Sequence, residues 1–302
     1  GSNGSVIEQC LHDAGVINIR SFEGVGAAEL ARFPLLALPN AFALERLAVA
    51  MPARLEAMGY FDDVDAPKIG VLTIDQPAWR AATDDALVPA LEAAGYSVQD
   101  VAYVRSAEYT EDAGQSSAEI QSAVVQFNSQ GIDHVIFFEG LVSYLFINSA
   151  AGQGYNPRYA FTSMDSPAAI ASVSETSQFE DSVSIGWQPS ADVNGAQRDE
   201  IANSRAERCI DIVGDEFPLA SAVAGCDSTL FLMDALRAGP TPVSTSSYLQ
   251  GVAALGNSFH SSKSYGTFFS SKRHDGAAQV RDVKWNVSCT CFEYTSGLIS
   301  VG

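Results

Sequence analysis

The sequence of 302 residues lacks several features that mark particular classes of protein. Basic residues are few, 17 against 36 acidic ones, and the net charge is −19. So negative a chain repels phosphate backbones, and we expect no nucleic-acid partner. It has no run of about 18 apolar residues, so the sequence predicts no membrane-spanning helix. No signal peptide is visible, and residues 1–5 (GSNGS) are expected to be a cloning remnant or a flexible segment.

Short catalytic and cofactor-binding motifs are also missing. There is no phosphate-binding G-x-x-x-x-G-K-[ST] and no zinc-binding H-E-x-x-H, and the GNSFH of residues 256–260 departs from G-x-S-x-G at its last position. A G-x-G-x-x-G pattern begins at Gly24, but Glu29 replaces its third glycine, and the charge of Glu29 opposes a pyrophosphate. We therefore expect no catalytic residues and no cofactor.

The cysteines and histidines are too few and too scattered to predict a metal site. Four histidines accompany five cysteines, and no second cysteine pair has ligand spacing. Cys209 and Cys226 flank a stretch with glycine and proline between two helical patterns, which predicts a disulfide; two free buried thiols are the alternative. Cys289 and Cys291 share one face of a strand-like segment, where a bond between them would be strained. No pairing is assigned to these two or to Cys10.

What the sequence does contain is a regular alternation of strands and helices. Apolar runs predict buried strands at 68–74, 132–138, 159–163 and 182–187, and helical patterns lie at 43–58, 81–94, 116–130 and 141–151. Strands without in-out alternation, each followed by a helix, indicate a parallel sheet covered on both faces. After residue 189, three helical patterns (192–213, 224–238 and 248–255) precede a strand-like segment at 280–294. The fold class is therefore doubly wound α/β.

Three passages together resemble a known family. They are KIGVLTIDQPAWRAATDDALVPALEAAGYSV (68–98), IDHVIFFEGLVSYLFINSAAGQGYNPRYAFTSMDSP (132–167) and CDSTLFLMDALRAG (226–239). Their order and spacing resemble the type I periplasmic binding fold, in particular the leucine/isoleucine/valine-type substrate-binding proteins of ABC transporters. The resemblance runs from about residue 6 to about residue 295. It implies two lobes, each a mainly parallel sheet with helices on both faces, joined by three crossings.

The resemblance also implies a division of the chain. Residues 1–63 and 189–277 are expected to form lobe 1, and residues 64–188 with a C-terminal strand in 278–302 to form lobe 2. The family opens lobe 1 with a strand, a helix and a second strand. This opening is not found in the sequence, so lobe 1 is expected to be incomplete.

Candidate ligand-binding residues follow from the ends of the strands, because open α/β sheets bind ligands beyond the carboxyl ends of their strands. In lobe 1 they are Phe22, Glu23, Gly24 and Asn40, and in lobe 2 they are Asp75, Gln76, Trp79, Glu139, Gly140, Tyr144, Ser163 and Asp165. The resemblance implies that Trp79 is an aromatic wall of the site and that Asp165 pairs with a ligand ammonium group.

Each of the sharper assignments has a structural alternative. Trp79 could instead pack at a helix start, and Asp165 could be the N-cap of a helix that begins near Ser166. Glu23 and Glu139 could equally be solvated charges at the rim. The expected lobe 1 loops, SFEGVG and LPNAF, contain few hydroxyl groups, which favours a larger, partly apolar or cationic solute over a simple aliphatic amino acid.

The sequence thus predicts an exported solute-binding protein that is no enzyme. It would capture an amino acid or a related, aromatic or larger organic solute for the membrane permease of an ABC importer. We expect a monomer located outside the cytoplasm, in the periplasm or lipid-anchored at the outer face of the cell membrane. The alternatives are a ligand-sensing ectodomain of the same fold and a doubly wound α/β enzyme.

Overall fold

A computed structural model describes residues 3–21, 24–105, 113–140, 142–194, 204–213 and 219–302. Its helices are α1 Asn3–Asp13, α2 Ala27–Arg32, α3 Leu44–Ala57, α4 Pro77–Ala82, α5 Val88–Ala93, α6 Ala113–Gln130, α7 Ser143–Gly152, α8 Pro167–Ala171, α9 Pro189–Asp192, α10 Ser204–Val213, α11 Leu219–Ala238 and α12 Thr245–Leu255. Its strands are β1 Asn18–Ile19, β2 Leu36–Ala37, β3 Ile69–Ile74, β4 Val98–Val104, β5 His134–Phe138, β6 Arg158–Thr162, β7 Val183–Gly186, β8 Gln279–Asn286, β9 Cys291–Tyr294 and β10 Ile299–Ser300.

The larger sheet has five parallel strands in the order β4-β3-β5-β6-β7. Strands β3, β5 and β7 are buried along their whole length, which explains why their sequences are mainly apolar and show no in-out alternation. The predicted parallel sheet is thereby confirmed. From β3 the chain goes first to β4 on one side and then to β5 on the other, so the carboxyl ends of β3 and β5 mark the position where open α/β sheets bind ligands.

The C-terminal segment differs from the single strand that the sequence predicts. Strand β8 pairs antiparallel with β7, and both β9 and β10 then pair with β8. A four-residue turn separates β8 from β9, because the side chain of Asn286 accepts a hydrogen bond from the Ser288 amide at 2.8 Å and Thr290 adopts a left-handed φ of 52°. The residues of this turn are ones that an exposed strand also accepts, so the sequence pattern did not reveal the turn.

A smaller parallel sheet is formed by β1 and β2. An isolated parallel β-bridge between Leu38 and Asp275 lies directly after the end of β2. Residues Ile19 and Ala37 of this sheet pack with helices α11 and α12, where Phe231 and Tyr248 are fully buried. This second core is separate from the core of the larger sheet, as a two-lobed protein requires.

Helix α3 packs on the larger sheet. Its buried residues Leu47, Met51 and Leu55 belong to the same core cluster as β3 and β5. The division of the chain at residues 63, 188 and 277 stays a prediction. The packing of α3 favours a first boundary closer to residue 43.

Side chains tie together the segments that run between the two cores. Phe42 contacts Trp187 edge to face, with ring centroids 5.1 Å apart. The guanidinium of Arg46 lies over Phe42 at 4.4 Å and donates to Asp275 through Nε at 2.7 Å. Arg46 also donates to the backbone oxygen of Ala277. Residues 42–46, 187 and 275–277 are thus joined in one cluster, and the last two segments lie next to the crossings expected near residues 188 and 277.

The structure pairs four of the five cysteines. Cys209 of α10 is bonded to Cys226 of α11, with their Cα atoms 6.1 Å apart, and Cys10 is free and exposed. Cys289 and Cys291, for which no pairing was predicted, form a second disulfide across the β8–β9 turn. Among the described helices, none combines the length and the apolar character needed to span a bilayer.

Candidate functional site

The candidate site lies at the carboxyl ends of the strands of the larger sheet. Glu139 follows β5, and residues 163–165 form a short 3₁₀ turn directly after β6. The two loops are neighbours: a Cβ added to Gly140 would lie 3.8 Å from the backbone oxygen of Met164. Candidates from two separate passages of the sequence thus lie at one edge of the sheet, because both follow parallel strands.

Glu139 is fully buried at this edge, so it is no solvated rim charge. Its Oε2 accepts a hydrogen bond from the Val142 amide at 3.0 Å, which fixes the loop before α7. Its Oε1 has no donor in hydrogen-bond geometry among the described residues, although the Ser143 hydroxyl and the amides of Ser143 and Gly140 lie near the carboxylate and oppose the rise of its pKa. Burial raises the pKa of Glu139 to about 7, because the ionised form is poorly solvated there.

Asp165 is the second buried carboxyl group of this edge. Its Oδ2 accepts hydrogen bonds from the Thr162 amide at 2.7 Å and from the Thr162 hydroxyl at 3.1 Å, as the third residue of a capping box. The N-cap interpretation is therefore wrong, because α8 begins after Ser166 and Asp165 closes the preceding turn. Burial is the main reason why the pKa of Asp165 is raised well above its ordinary value, and repulsion from Glu139 is the second.

Asp165 also keeps one oxygen free for a ligand. Within the described part of the chain, its Oδ1 meets no hydrogen-bond donor, as is the case for Oε1 of Glu139. Two buried carboxyl groups with one spare acceptor each can receive an ammonium or a hydroxyl group, which supplies the missing donors. A cation would also relieve the repulsion between them.

Trp79 forms an apolar wall near the end of β5. It is 7% exposed and packs edge to face on Phe138, with ring centroids 5.6 Å apart. The loop after β1 reaches the other part of the indole: Gly24 has a φ of 100°, and a Cβ there would lie 3.2 Å from Nε1 of Trp79. Only glycine suits both this backbone conformation and this close approach. Gly24 and Trp79, which the sequence assigned to different lobes, are therefore in contact.

Helix α3 holds this loop in place. The carboxylate of Glu45 accepts a hydrogen bond from the amide of Ala27, the first residue of α2, at 2.6 Å. Two further candidates, Phe22 and Glu23, lie outside the described residues.

The other candidates after β3 and on α7 are more exposed. Asp75 forms an ion pair with Arg80 at 2.6 Å, and the hydrogen bond from Arg80 is the main reason why the pKa of Asp75 is lowered. Gln76 precedes the first residue of α4 and is half-buried. Tyr144 is 40% exposed on α7. These residues lie at the rim of the strand ends rather than in the buried part.

Asn40 and Ser163 are buried in hydrogen-bonded networks. Asn40 donates to Asp227 of α11 at 3.0 Å, which ties the segment after β2 to the smaller core. The hydroxyl oxygen of Ser163 accepts from the amide of Trp187 at 2.7 Å and from that of Gln188 at 3.2 Å. Both side chains thus stabilise the segments that surround the site.

Asp192 is a buried acid that the sequence-based prediction missed. Its Oδ2 accepts hydrogen bonds from the Gln188 amide at 2.9 Å and from the Tyr294 hydroxyl at 2.8 Å. Its Oδ1 has no donor among the described residues, and burial raises the pKa of Asp192 to about 7. Asp192 is the last residue of α9, several positions beyond the end of the buried strand β7, so a search of the residues directly after each strand does not reach it.

Comparison with known proteins identifies the fold. No protein-family model and no curated protein matches the chain. Among solved structures, it is similar to a branched-chain amino acid ABC transporter protein from Thermus thermophilus with bound valine, at 14% identity and a TM-score of 0.72, over 99% of this chain and 76% of that one.

Two further solved structures are similar to the chain. A substrate-binding protein of an ABC transporter from Aeropyrum pernix has 10% identity and a TM-score of 0.73, over 99% of this chain and 74% of that one. A solute-binding protein from Rhodopseudomonas palustris BisB5, in complex with 3,4-dihydroxybenzoic acid, has 13% identity and a TM-score of 0.71, over 98% and 76%. With its doubly wound larger sheet and separate smaller core, the chain has the two-lobed type I fold of ABC transporter substrate-binding proteins.

Proposed function

We propose that this protein is an extracytoplasmic solute-binding protein that delivers a small molecule to the membrane permease of an ABC importer. The observation that carries the proposal is the pair of buried carboxyl groups, Glu139 and Asp165, at the carboxyl ends of adjacent parallel strands. The similarity in fold to proteins that hold valine or 3,4-dihydroxybenzoic acid supports a solute-binding role for this chain.

The ligand is a small organic solute with an ammonium or another strong hydrogen-bond donor and an apolar part. The donor group lies between Glu139 and Asp165 and fills their unpartnered oxygens, Oε1 and Oδ1. The apolar part lies against Trp79, whose ring also attracts a cation. Gly24 completes the site from the loop after β1.

Binding of a cationic solute is coupled to protons. Burial raises the pKa of Glu139 to about 7 and that of Asp165 well above its ordinary value, so both groups hold protons in the free protein at acidic pH. An ammonium group favours the ionised carboxylates and displaces these protons. We therefore expect affinity for a cation to fall as pH drops below about 7, and affinity for a neutral solute to change less.

Native mass spectrometry of freshly purified protein identifies any co-purified small molecule, and isothermal titration then measures its affinity. Replacing Asp165 by Asn or Glu139 by Gln should weaken a cationic ligand by about 2 kcal/mol or more, because each removes a buried charge partner. The exposed Asp85→Asn variant removes a charge from outside the site and should bind normally. Unchanged affinity in both site variants, with folding intact, would place the ligand elsewhere.

A further inference from the structure

The turn between β8 and β9 carries a cluster of potential metal ligands outside the proposed ligand site. The sulfur atoms of Cys289 and Cys291 and a carboxylate oxygen of Glu293 all lie within 4.8 Å of one another. The two sulfurs are joined in a disulfide that encloses a single residue, Thr290. Two sulfurs and one oxygen are a donor set that suits zinc and cadmium once the sulfurs are thiolates.

Strand pairing presents these groups on the outward face of the hairpin. Phe292 and Tyr294 of β9 are buried, so Cys291 and Glu293, which alternate with them, point to the opposite face. Cys289 lies in the exposed turn, where solutes and reductants reach it.

A neighbouring amide orients the carboxylate. Asn286, which pairs with Cys291 in the register of the hairpin, donates through its side chain to Oε2 of Glu293 at 2.6 Å. This leaves Oε1 of Glu293 3.7 Å from the sulfur of Cys289. The carboxylate is therefore held with its other oxygen toward the sulfur pair.

The disulfide contributes little to holding the hairpin together. A cross-link stabilises mainly by restricting the unfolded chain, and this restriction grows with the length of the loop that it closes. Cys289 and Cys291 are two positions apart, whereas Cys209 and Cys226 are 17 apart. Four residue pairs between β8 and β9 hold the hairpin independently of the sulfurs. The backbone that carries the three side chains is therefore expected to keep its pairing after reduction.

We propose that reduction of the Cys289–Cys291 disulfide converts this turn into a site for a thiophilic divalent cation, Zn²⁺ or Cd²⁺. An external dithiol supplies two electrons and two protons, the S–S bond breaks to give two thiols, and the reductant becomes a cyclic disulfide. The cation then displaces the two thiol protons and is held by two thiolates and Oε1 of Glu293, with its fourth position open to water.

The test uses a Cys10→Ser variant, because the exposed thiol of Cys10 would otherwise compete for metal. The protein is reduced with a dithiol, freed of reductant without oxygen, and titrated with Cd²⁺ while the sulfur-to-cadmium charge-transfer absorption is followed. We expect about one equivalent bound to the reduced protein and none to the oxidised protein. Zn²⁺, measured by competition with a chromophoric chelator, should occupy the same site.

Three further variants in the same background locate the site. Replacing both Cys289 and Cys291 by Ser should abolish binding, and replacing both Cys209 and Cys226 by Ser should preserve it. Glu293→Gln should weaken binding roughly tenfold or more, the usual effect of losing a ligating or supporting group. Far-ultraviolet circular dichroism confirms that each variant is folded.

The proposal is overturned by any of three results. These are no binding to the reduced Cys10→Ser protein, equal binding to the oxidised protein, and binding that persists without Cys289 and Cys291. Unchanged affinity in the Glu293→Gln variant would remove the carboxylate from the site and contradict the three-ligand arrangement.

Discussion

Replacing Asp192 by asparagine tests whether one buried carboxyl group makes the stability of this protein depend on pH. Burial raises the pKa of Asp192 from its ordinary value of 3.8 to about 7. The rise is opposed by hydrogen bonds from Ser163, Tyr294 and the Gln188 backbone and by the positive charge of Lys263. Since the folded state binds this proton more tightly than the unfolded state, the added stability is complete below the ordinary value and is lost as pH rises through about 7.

The size of the effect follows from the two pKa values. Each tenfold change in a dissociation constant is worth about 1.4 kcal/mol, so the difference between 3.8 and about 7 amounts to roughly 4 kcal/mol over the whole range. Between about pH 5 and pH 8, roughly 3 kcal/mol of this is lost. The Asp192→Asn variant cannot ionise and should lose about 3 kcal/mol less over that interval than the wild type.

Urea unfolding at several pH values, followed by circular dichroism, measures this difference. The asparagine oxygen can still accept the hydrogen bonds of Gln188 and Tyr294. Its buried amide nitrogen costs about 1–3 kcal/mol independently of pH, so the slope with pH is compared rather than the absolute stability. The exposed Asp85→Asn variant controls for the change in net charge. If Asp192→Asn and the wild type show the same slope, Asp192 does not titrate in the assigned range.

Substitutions at two more positions test the apolar wall and the cluster around Arg46. Trp79→Ala should lower the free energy of unfolding by about 3–5 kcal/mol, because the indole is part of the core and packs on Phe138. Trp79→Phe, which keeps a ring against Phe138, should retain most of the stability while weakening ligand binding by about 1–3 kcal/mol in isothermal titration; equal affinity would exclude the indole from the site. Arg46→Ala breaks the mostly buried ion pair with Asp275 and should cost roughly 3 kcal/mol in urea unfolding. The exposed Arg208→Ala variant should cost little, and similar losses in both arginine variants would contradict a special role of Arg46.

The larger sheet could be predicted from the sequence because its strands are buried on both faces. Apolar runs at 68–74 and 132–138 became β3 and β5 almost residue for residue. The C-terminal hairpin could not be predicted in the same way, because the turn after Asn286 contains residues that an exposed strand also accepts. The Cys289–Cys291 disulfide depends on that turn and was missed with it.

The candidate site was predictable in position but not in environment. Parallel strands end at one edge of a sheet, so the ends of β5 and β6 indicate Glu139 and Asp165 from the sequence pattern alone. Whether such an acid is solvated or buried depends on the loops that fold over it, which strand patterns do not describe. Glu139, for which a rim charge was an equal alternative, is fully buried. Asp192 was missed because it lies at the end of α9, several residues beyond the end of β7.

Unsatisfied oxygens distinguish Glu139, Asp165 and Asp192 from Asp227, a buried acid with a structural role. Asp227 is buried as well, but both of its oxygens accept hydrogen bonds, from Asn40, Ser261 and the Ser262 amide. Glu139 and Asp165 each keep one oxygen without a donor among the described residues. A buried acceptor without a partner costs about 1–3 kcal/mol, so a fold gains nothing from it unless another molecule supplies the donor. Such local costs are typical of functional sites, and Glu139 and Asp165 carry two of them at the carboxyl ends of adjacent strands, where folds of this class bind ligands.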